Sequence, residues 1–228
     1  MATVAPQSSM NVGRLIAVPA AISLAVTVLR VAGELGHWSD RWFEPVTRGI
    51  VPSGLSWVFG ISWLPVPFGV YFALRLLAAG KGPVSTARSL LCALAGLLIV
   101  VGMRFVVALL NQRFQLFSRS LLLYLAIIWS VMAAAALVQR LSWPALFQML
   151  LAYGLAARVP VVVVMFLAMR GNWETHYDYV DVPPFQALPL LERFLKTAFL
   201  PQLIFWVSFT ILLGAIAGSI TAAVARRR

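Results

Sequence analysis

Arg158 is the residue in this sequence most suited to specific chemistry. It lies near the middle of residues 143–169, an apolar stretch with no other charged side chain. A guanidinium at that depth in a bilayer costs several kcal/mol unless it has partners. Because the apolar stretches contain no carboxylate, the partners must be amides, hydroxyls, backbone carbonyls or an anionic ligand.

Candidate partners for Arg158 occur in the same stretch. Gln148 offers an amide and Tyr153 a hydroxyl. Pro160 has no amide hydrogen to donate to the carbonyl of Ala156, so that acceptor is left free close to Arg158. The alternative is that the stretch is shifted or divided, and that Arg158 extends to the membrane surface while its stem stays in the apolar region.

A second apolar stretch carries two prolines. Pro65 and Pro67 remove hydrogen bonds to the carbonyls of Ile61 and Trp63, which predicts a kink or break near the middle of residues 50–74. Freed carbonyls at membrane depth must face protein or a wet cavity. Two interrupted stretches in corresponding positions would also fit an inverted repeat of three spans each.

These residues together predict a ligand-binding site at the membrane midplane. Its candidate members are Arg158, Gln148, Tyr153, Ala156, Pro160, Pro65 and Pro67. Because the one deep charge is positive, the expected ligand is an anionic or lipid-like solute.

The composition places these stretches in a membrane. Of 228 residues, 61% are hydrophobic and 11% are charged, and the mean hydropathy is +0.91. Soluble domains have roughly 45–50% apolar and about 25% charged residues. These values exclude a soluble globular protein, a disordered protein and a disulfide scaffold. The single cysteine, Cys92, allows no intramolecular disulfide.

The apolar stretches predict one all-α domain over residues 1–228, a polytopic bundle of about six transmembrane helices with the second and fifth kinked or broken. We expect the first stretch to be retained, because Arg30 to Glu34 make a poor cleavage site for a signal peptide. The predicted spans are 12–32, 50–74, 89–110, 120–139, 143–169 and 198–224, and the polar loops are 33–48 and 170–196.

Basic residues predict the orientation. The net charge is +11, but the basic residues stand singly between apolar stretches, which indicates helix ends and lipid headgroups rather than nucleic acid. The C-terminal arginines 226–228 and the acid-free loop with Arg75, Lys81 and Arg88 favour the cytoplasmic side. Both termini are therefore expected in the cytoplasm at the cell membrane, although Arg113 and Arg119 argue against this.

The two polar loops then share the outer face, and all seven acidic residues lie in them. His176 and Asp178 in one loop, with His37 and Asp40 in the other, are the only set that suggests a metal or a lipid-directed enzyme. No paired-cysteine or His-Glu-x-x-His motif is present. We therefore expect no metal, no cofactor and no catalytic residue, and an enzyme is the less favoured class.

The last stretch carries small residues at a spacing of four, Gly214, Gly218 and Ala222. This spacing lets another helix approach closely, either within the chain or from a homo-oligomer or another membrane subunit. The expected partners are thus membrane lipids and other membrane subunits. The function predicted first is a small transporter or permease, and the alternative is a structural or accessory subunit of a larger membrane complex.

Overall fold

The computed structural model describes residues 11–43, 55–115, 120–180 and 183–226. Within these ranges the fold is an all-α membrane bundle without strands, as the sequence predicts. Its principal helices are α1 (Val12–Leu35), α2 (Pro65–Ala78), α3 (Thr86–Phe114), α4 (Leu121–Val138), α5 (Pro144–Gly171) and α6 (Leu190–Ala225). Shorter helical segments are Asp40–Phe43, Ser56–Phe59, Gln139–Leu141 and Pro183–Gln186.

The helices begin where the sequence supplies suitable first residues. Asn11, Ser85 and Ser120 accept hydrogen bonds from backbone amides in the first turns of α1, α3 and α4. Such side-chain oxygens satisfy amides that have no acceptor within the helix. Pro65 and Pro144 occupy the first positions of α2 and α5, where a missing amide hydrogen costs nothing.

Five of these helical segments are long and apolar enough to cross a membrane, and α2 is the exception. With 14 residues, α2 spans about 21 Å at 1.5 Å per residue, against about 30 Å of hydrocarbon. The predicted second span of 50–74 is therefore interrupted. Part of it lies outside the described residues, Ser56–Phe59 form a 3-10 turn, and the helix starts only at Pro65.

The position of Pro65 and Pro67 changes their predicted role. Both lie in the first turn of α2, so they begin a helix instead of bending one. The carbonyl of Trp63 accepts the amide of Val66 at 3.1 Å. The predicted bend of a helix at these two prolines is thus wrong, and the Trp63 carbonyl that Pro67 was expected to free has a donor.

The fifth predicted span is a continuous helix of 28 residues through Pro160. Pro160 lies near the middle of α5, whereas Pro67 lies in the first turn of the much shorter α2. The fifth helix is therefore not broken at Pro160, as the sequence had allowed, and only the second predicted span is interrupted. The two spans are not structural equivalents, and the inverted-repeat interpretation loses its basis.

Helix α6 is the most buried of the long helices and packs against α2, α3, α4 and α5. Its contact with α2 is made by backbone, because a Cβ on Gly69 would lie 2.4 Å from the carbonyl oxygen of Gly214. Gly218 faces Leu146 of α5, and Ala222 is fully buried. The small residues of α6 thus pack within the chain.

The two ends of the bundle are identified by contacts between loops. At one end the backbone amide of His176 donates to Glu34 Oε2 at 3.0 Å, so the two acidic loops meet. At the opposite end Arg226 Nη2 donates to the carbonyl of Pro83 at 2.8 Å. This places both polar loops on one face, in agreement with the alternating path that the sequence predicts.

Candidate functional site

Arg158 is buried inside the bundle, with 4% of its surface exposed. Its Nη1 donates to Oε1 of Gln202 at 3.2 Å, and its Cζ lies 4.7 Å from the ring centre of Trp206. Its Nε and Nη2 find no hydrogen-bond partner among the described residues. A buried N–H group without an acceptor costs free energy, so these two nitrogens would be stabilised by an acceptor in the cavity.

A cavity of about 240 Å³ lies beside Arg158. Five pieces of the chain enclose it: α1, the segment before α2, α5, the loop after α5, and α6. The lining residues are Thr27, Arg30, Phe59, Gly60, Ile61, Ser62, Arg158, Val161, Met165, His176, Tyr177, Gln202 and Trp206. The cavity is therefore polar at its arginine side and apolar over much of its remaining wall.

The first part of α6 places Gln202 and Trp206 on the cavity. Residues Leu195–Phe199 and Pro201–Trp206 are wound as π-helix, and the amide of Leu200 donates to the carbonyl of Leu195. Pro201 has no amide hydrogen, and its ring would clash with the carbonyl four residues earlier in an α-helix. The wider winding accommodates the proline, and π segments are frequent at functional sites.

A second charged cluster forms the outer wall. Arg30 Nε donates to Glu34 Oε1 at 2.8 Å, one helical turn apart on α1. His176 Nδ1 lies 2.6 Å from the same carboxylate oxygen. Burial lowers the pKa of His176, helped by the charge of Arg30 and opposed by Glu34, and this favours the neutral imidazole. Glu34 therefore fastens the loop after α5 to the end of α1.

The formal charges of the described cavity residues do not balance. Glu34 compensates Arg30, and the lowered pKa of His176 favours its neutral form. Arg158 contacts an amide and an aromatic ring, neither of which carries a formal negative charge. Among the described residues, the positive charge of Arg158 is thus left without a counter-charge.

Of the seven residues predicted for the ligand site, Arg158 alone lines this cavity. Gln148 is exposed on another face of α5, ten residues before Arg158. Tyr153 is buried, and its hydroxyl hydrogen-bonds that of Ser23 at 2.9 Å, which joins α5 to α1. The amide that accepts from Arg158 is therefore Gln202, and the predicted partner Gln148 is wrong.

The predicted proline positions lie away from the cavity wall. Ala156 and Pro160 are half-buried on α5, Pro65 is buried at the start of α2, and Pro67 is exposed. None of these four belongs to the lining. Ile61, whose carbonyl Pro65 was expected to leave free, does line the cavity.

Several residues in or next to the cavity were missed by sequence reasoning, although signals for them exist. Thr27, Arg30 and Glu34 follow helical spacing on one face of α1, and an Arg-x-x-x-Glu pair matches one turn. The predicted first span ended at residue 32, which separated Glu34 from its partner. Gln202 is the only amide in the last apolar stretch and follows Pro201, which marks a helix irregularity.

Among the described residues, no group of three His, Cys, Asp or Glu side chains could hold a metal ion. Asp178 Oδ1 accepts the backbone amide of Thr175 at 2.7 Å, and Oδ2 accepts that of Glu174 at 3.0 Å. His37 is exposed. The side chain of Asp40 lies outside the described part of the structure. Asp178 thus stabilises a turn.

Replacing Glu34 by alanine is expected to destabilise the protein by about 3 kcal/mol, because it leaves buried Arg30 without its carboxylate. Unfolding in mixed micelles measures this loss. Hydrogen exchange at the His176 amide should also become faster, since Glu34 accepts that amide.

Glu192→Ala is the matched control. Glu192 pairs with Lys196 at the same spacing, but its side chain is 47% exposed. Exposed pairs contribute about 1 kcal/mol or less. Equal losses in the two variants would show that the Glu34 cluster does not hold the loop.

The fold and cavity define a class: a multi-pass α-helical membrane protein with a cavity between its helices that is lined by Arg30 and Arg158. Comparison with protein families, curated proteins and solved structures finds no match to this chain. The function must accordingly be inferred from the cavity itself.

Proposed function

We propose that this protein is a small permease that binds an anionic or lipid-like solute beside Arg158 and moves it across the membrane. The observation that carries the proposal is the burial of Arg158 beside the cavity with part of its guanidinium lacking an acceptor. It is 4% exposed, it lines the cavity, and its Nε and Nη2 have no acceptor among the described residues.

An anion is the ligand that the electrostatics favour. A buried cation without a counter-charge is costly, and an anion in the cavity removes that cost. The carboxylate of Glu34 is engaged by Arg30 and His176. Arg158 is therefore the group that an incoming anion would meet unpaired.

The backbone around the cavity supports a transport role. Gly60, Ile61 and Ser62 line the cavity from a non-helical segment, and Gln202 and Trp206 line it from a π-helical one. Irregular backbone at membrane depth is tolerated where it lines a cavity or is buried in protein. Broken helices around a central site are characteristic of transporters.

We place both termini in the cytoplasm and the protein in the cell membrane, from the basic residues near the C-terminus and between α2 and α3. In this orientation His176 and Tyr177 lie between the cavity and the outer face. A solute from outside would then enter past the loop that Glu34 holds.

Transport measurements with proteoliposomes test the proposal. Vesicles containing the full chain would be loaded with chloride, hexanoate or methyl phosphate, and efflux of each anion followed. We expect at least one anion to leave faster than from protein-free vesicles, and Arg158→Ala to abolish the difference because it removes the cation.

Arg104→Ala is the control, since it removes an exposed arginine from α3. It should leave efflux unchanged. The proposal fails if correctly folded Arg158→Ala protein retains both efflux and anion binding, or if no probe leaves faster than from empty vesicles.

The accessory-subunit alternative drew on the small-residue face of α6. In this structure a Cβ on Gly214 would meet Leu150 of α5, and one on Gly218 would meet Leu146. That face is occupied within the chain, so it does not favour docking of another subunit. Membrane lipids remain the proposed partners of the outward apolar residues, such as Leu98 and Phe105 of α3.

A further inference from the structure

We infer that the ligand carries a single negative charge and presents two oxygens of one carboxylate or phosphodiester group to the Nε–Nη2 edge of Arg158. This inference rests on the proposed function and specifies the chemical class of its solute.

The free groups of Arg158 form one edge of the guanidinium. A guanidinium is planar, and the N–H bonds of Nε and Nη2 on their shared edge point in parallel. Nη1 is engaged by Gln202, and the ring of Trp206 covers the guanidinium from 4.7 Å. The unpartnered Nε and Nη2 are therefore the pair that binds two oxygens of one anion side by side.

The charge of the cavity selects a monoanion. Arg30 and Glu34 compensate each other at 2.8 Å, and desolvation lowers the pKa of His176, which favours its neutral form. Among the described cavity residues, the charge without a counter-charge is that of Arg158. A dianion would leave excess negative charge at membrane depth, which is as costly as the excess positive charge it replaced.

The cavity also limits the size of the bound group. At about 30 Å³ for each water molecule, 240 Å³ holds about eight waters. Phe59, Val161 and Met165 supply apolar wall beside the arginine. A carboxylate with a short hydrocarbon chain fits this space, and so does the phosphodiester of a lipid whose acyl chains remain outside.

Anion selectivity of the purified full chain tests the inference. In zwitterionic micelles, calorimetric titration would compare hexanoate and dimethyl phosphate with chloride and sulfate. Each charge-assisted hydrogen bond contributes about 1.5–3 kcal/mol, and 1.4 kcal/mol is tenfold in affinity. We expect the two-oxygen monoanions to bind at least about tenfold more tightly than chloride or sulfate.

Arg158→Lys separates charge from geometry. Lysine keeps the positive charge but has no parallel pair of N–H bonds. Hexanoate affinity should fall about tenfold or more, whereas chloride affinity should change little. Arg170→Lys, at the exposed end of α5, is the matched control and should change neither affinity.

Gln202→Glu provides a second variant with the same side-chain shape. Its carboxylate would lie beside Nη1 of Arg158, where the amide oxygen now accepts. By supplying the missing counter-charge it should weaken hexanoate binding about tenfold or more while leaving the protein at least as stable. Unchanged hexanoate affinity in this variant would contradict the charge argument.

The outcomes distinguish this inference from the proposed function. If chloride binds as tightly as hexanoate, or if Arg158→Lys keeps its preference for hexanoate, the two-oxygen geometry is wrong while anion binding stands. If none of the four anions binds the wild-type chain, the proposed function fails with it.

Nanodiscs identify the source of the anionic group. Hexanoate binding would be compared in discs of phosphatidylcholine alone and in discs that also contain phosphatidylglycerol. Competition by phosphatidylglycerol supports a lipid headgroup as the ligand. Equal hexanoate binding in both supports a small soluble acid.

Discussion

Gly69→Ala is expected to destabilise the protein by about 3 kcal/mol, at the upper end of the usual cost of overpacking. A Cβ at this position would lie 2.4 Å from the carbonyl oxygen of Gly214 and 2.7 Å from its Cα. These are backbone atoms of α6, so no side chain can turn aside. Helices α2 and α6 would have to separate, and unfolding in mixed micelles would report the loss.

Alanine substitutions at two further glycines provide reference values for this loss of stability. A Cβ on Gly214 would meet the side chain of Leu150, which is flexible at its end, so Gly214→Ala should cost less than Gly69→Ala. A Cβ on Gly102 of α3 would meet nothing within 4 Å. Gly102→Ala should therefore be neutral or slightly stabilising. A loss for Gly69→Ala no larger than that for Gly102→Ala would contradict the close packing of α2 on α6.

Hydropathy was sufficient to predict the membrane class and most of the helices. Long charge-free stretches have few alternatives in a bilayer, because every backbone amide and carbonyl must be satisfied internally. The predicted spans 89–110 and 143–169 lie within α3 and close to the bounds of α5. Their ends differ by a few residues because capping side chains, such as Ser85, lie outside the apolar stretch.

The second span shows what hydropathy does not capture. Residues 50–74 are as apolar as a helix would require, yet the described part includes a 3-10 turn and a non-helical segment before Pro65. That segment lines the cavity through Gly60, Ile61 and Ser62. An apolar composition places a segment in the membrane or the core but does not fix its winding.

Of the candidate site, the sequence predicted Arg158 but not the residues that contact it. Arg158 follows from one sequence, since a lone charge in an apolar stretch needs a partner. Its partners Gln202 and Trp206 lie more than forty residues away, and one sequence carries no record of such pairings. Nearby Gln148 was the natural choice, but ten residues along a helix place it about 15 Å away on another face.

Arg158→Met is the substitution with the most informative expected result. Methionine is flexible and apolar, and it can fill most of the space of the arginine. Because Arg158 has no counter-charge among the described residues, removing it should leave the stability unchanged or raise it by about 1–4 kcal/mol, the range found when buried ion pairs are replaced by apolar side chains. Unfolding in mixed micelles without added anion measures this.

The same variant should lose its response to anions. A ligand at a hundred times its dissociation constant stabilises the folded state by about 2.7 kcal/mol. Wild-type protein with hexanoate should approach that gain, and Arg158→Met should show none. A variant that is strongly destabilised without anion would mean that groups of the chain already compensate Arg158.

Arg30→Met completes the comparison, because Arg30 lines the same cavity but pairs with buried Glu34. Removing Arg30 leaves that carboxylate buried without its cation, which should cost about 3–5 kcal/mol. Two arginines on one cavity wall are thus expected to give opposite effects on stability. The expected difference follows from the source of the counter-charge: for Arg30 the chain supplies it, and for Arg158 we propose that the solute does.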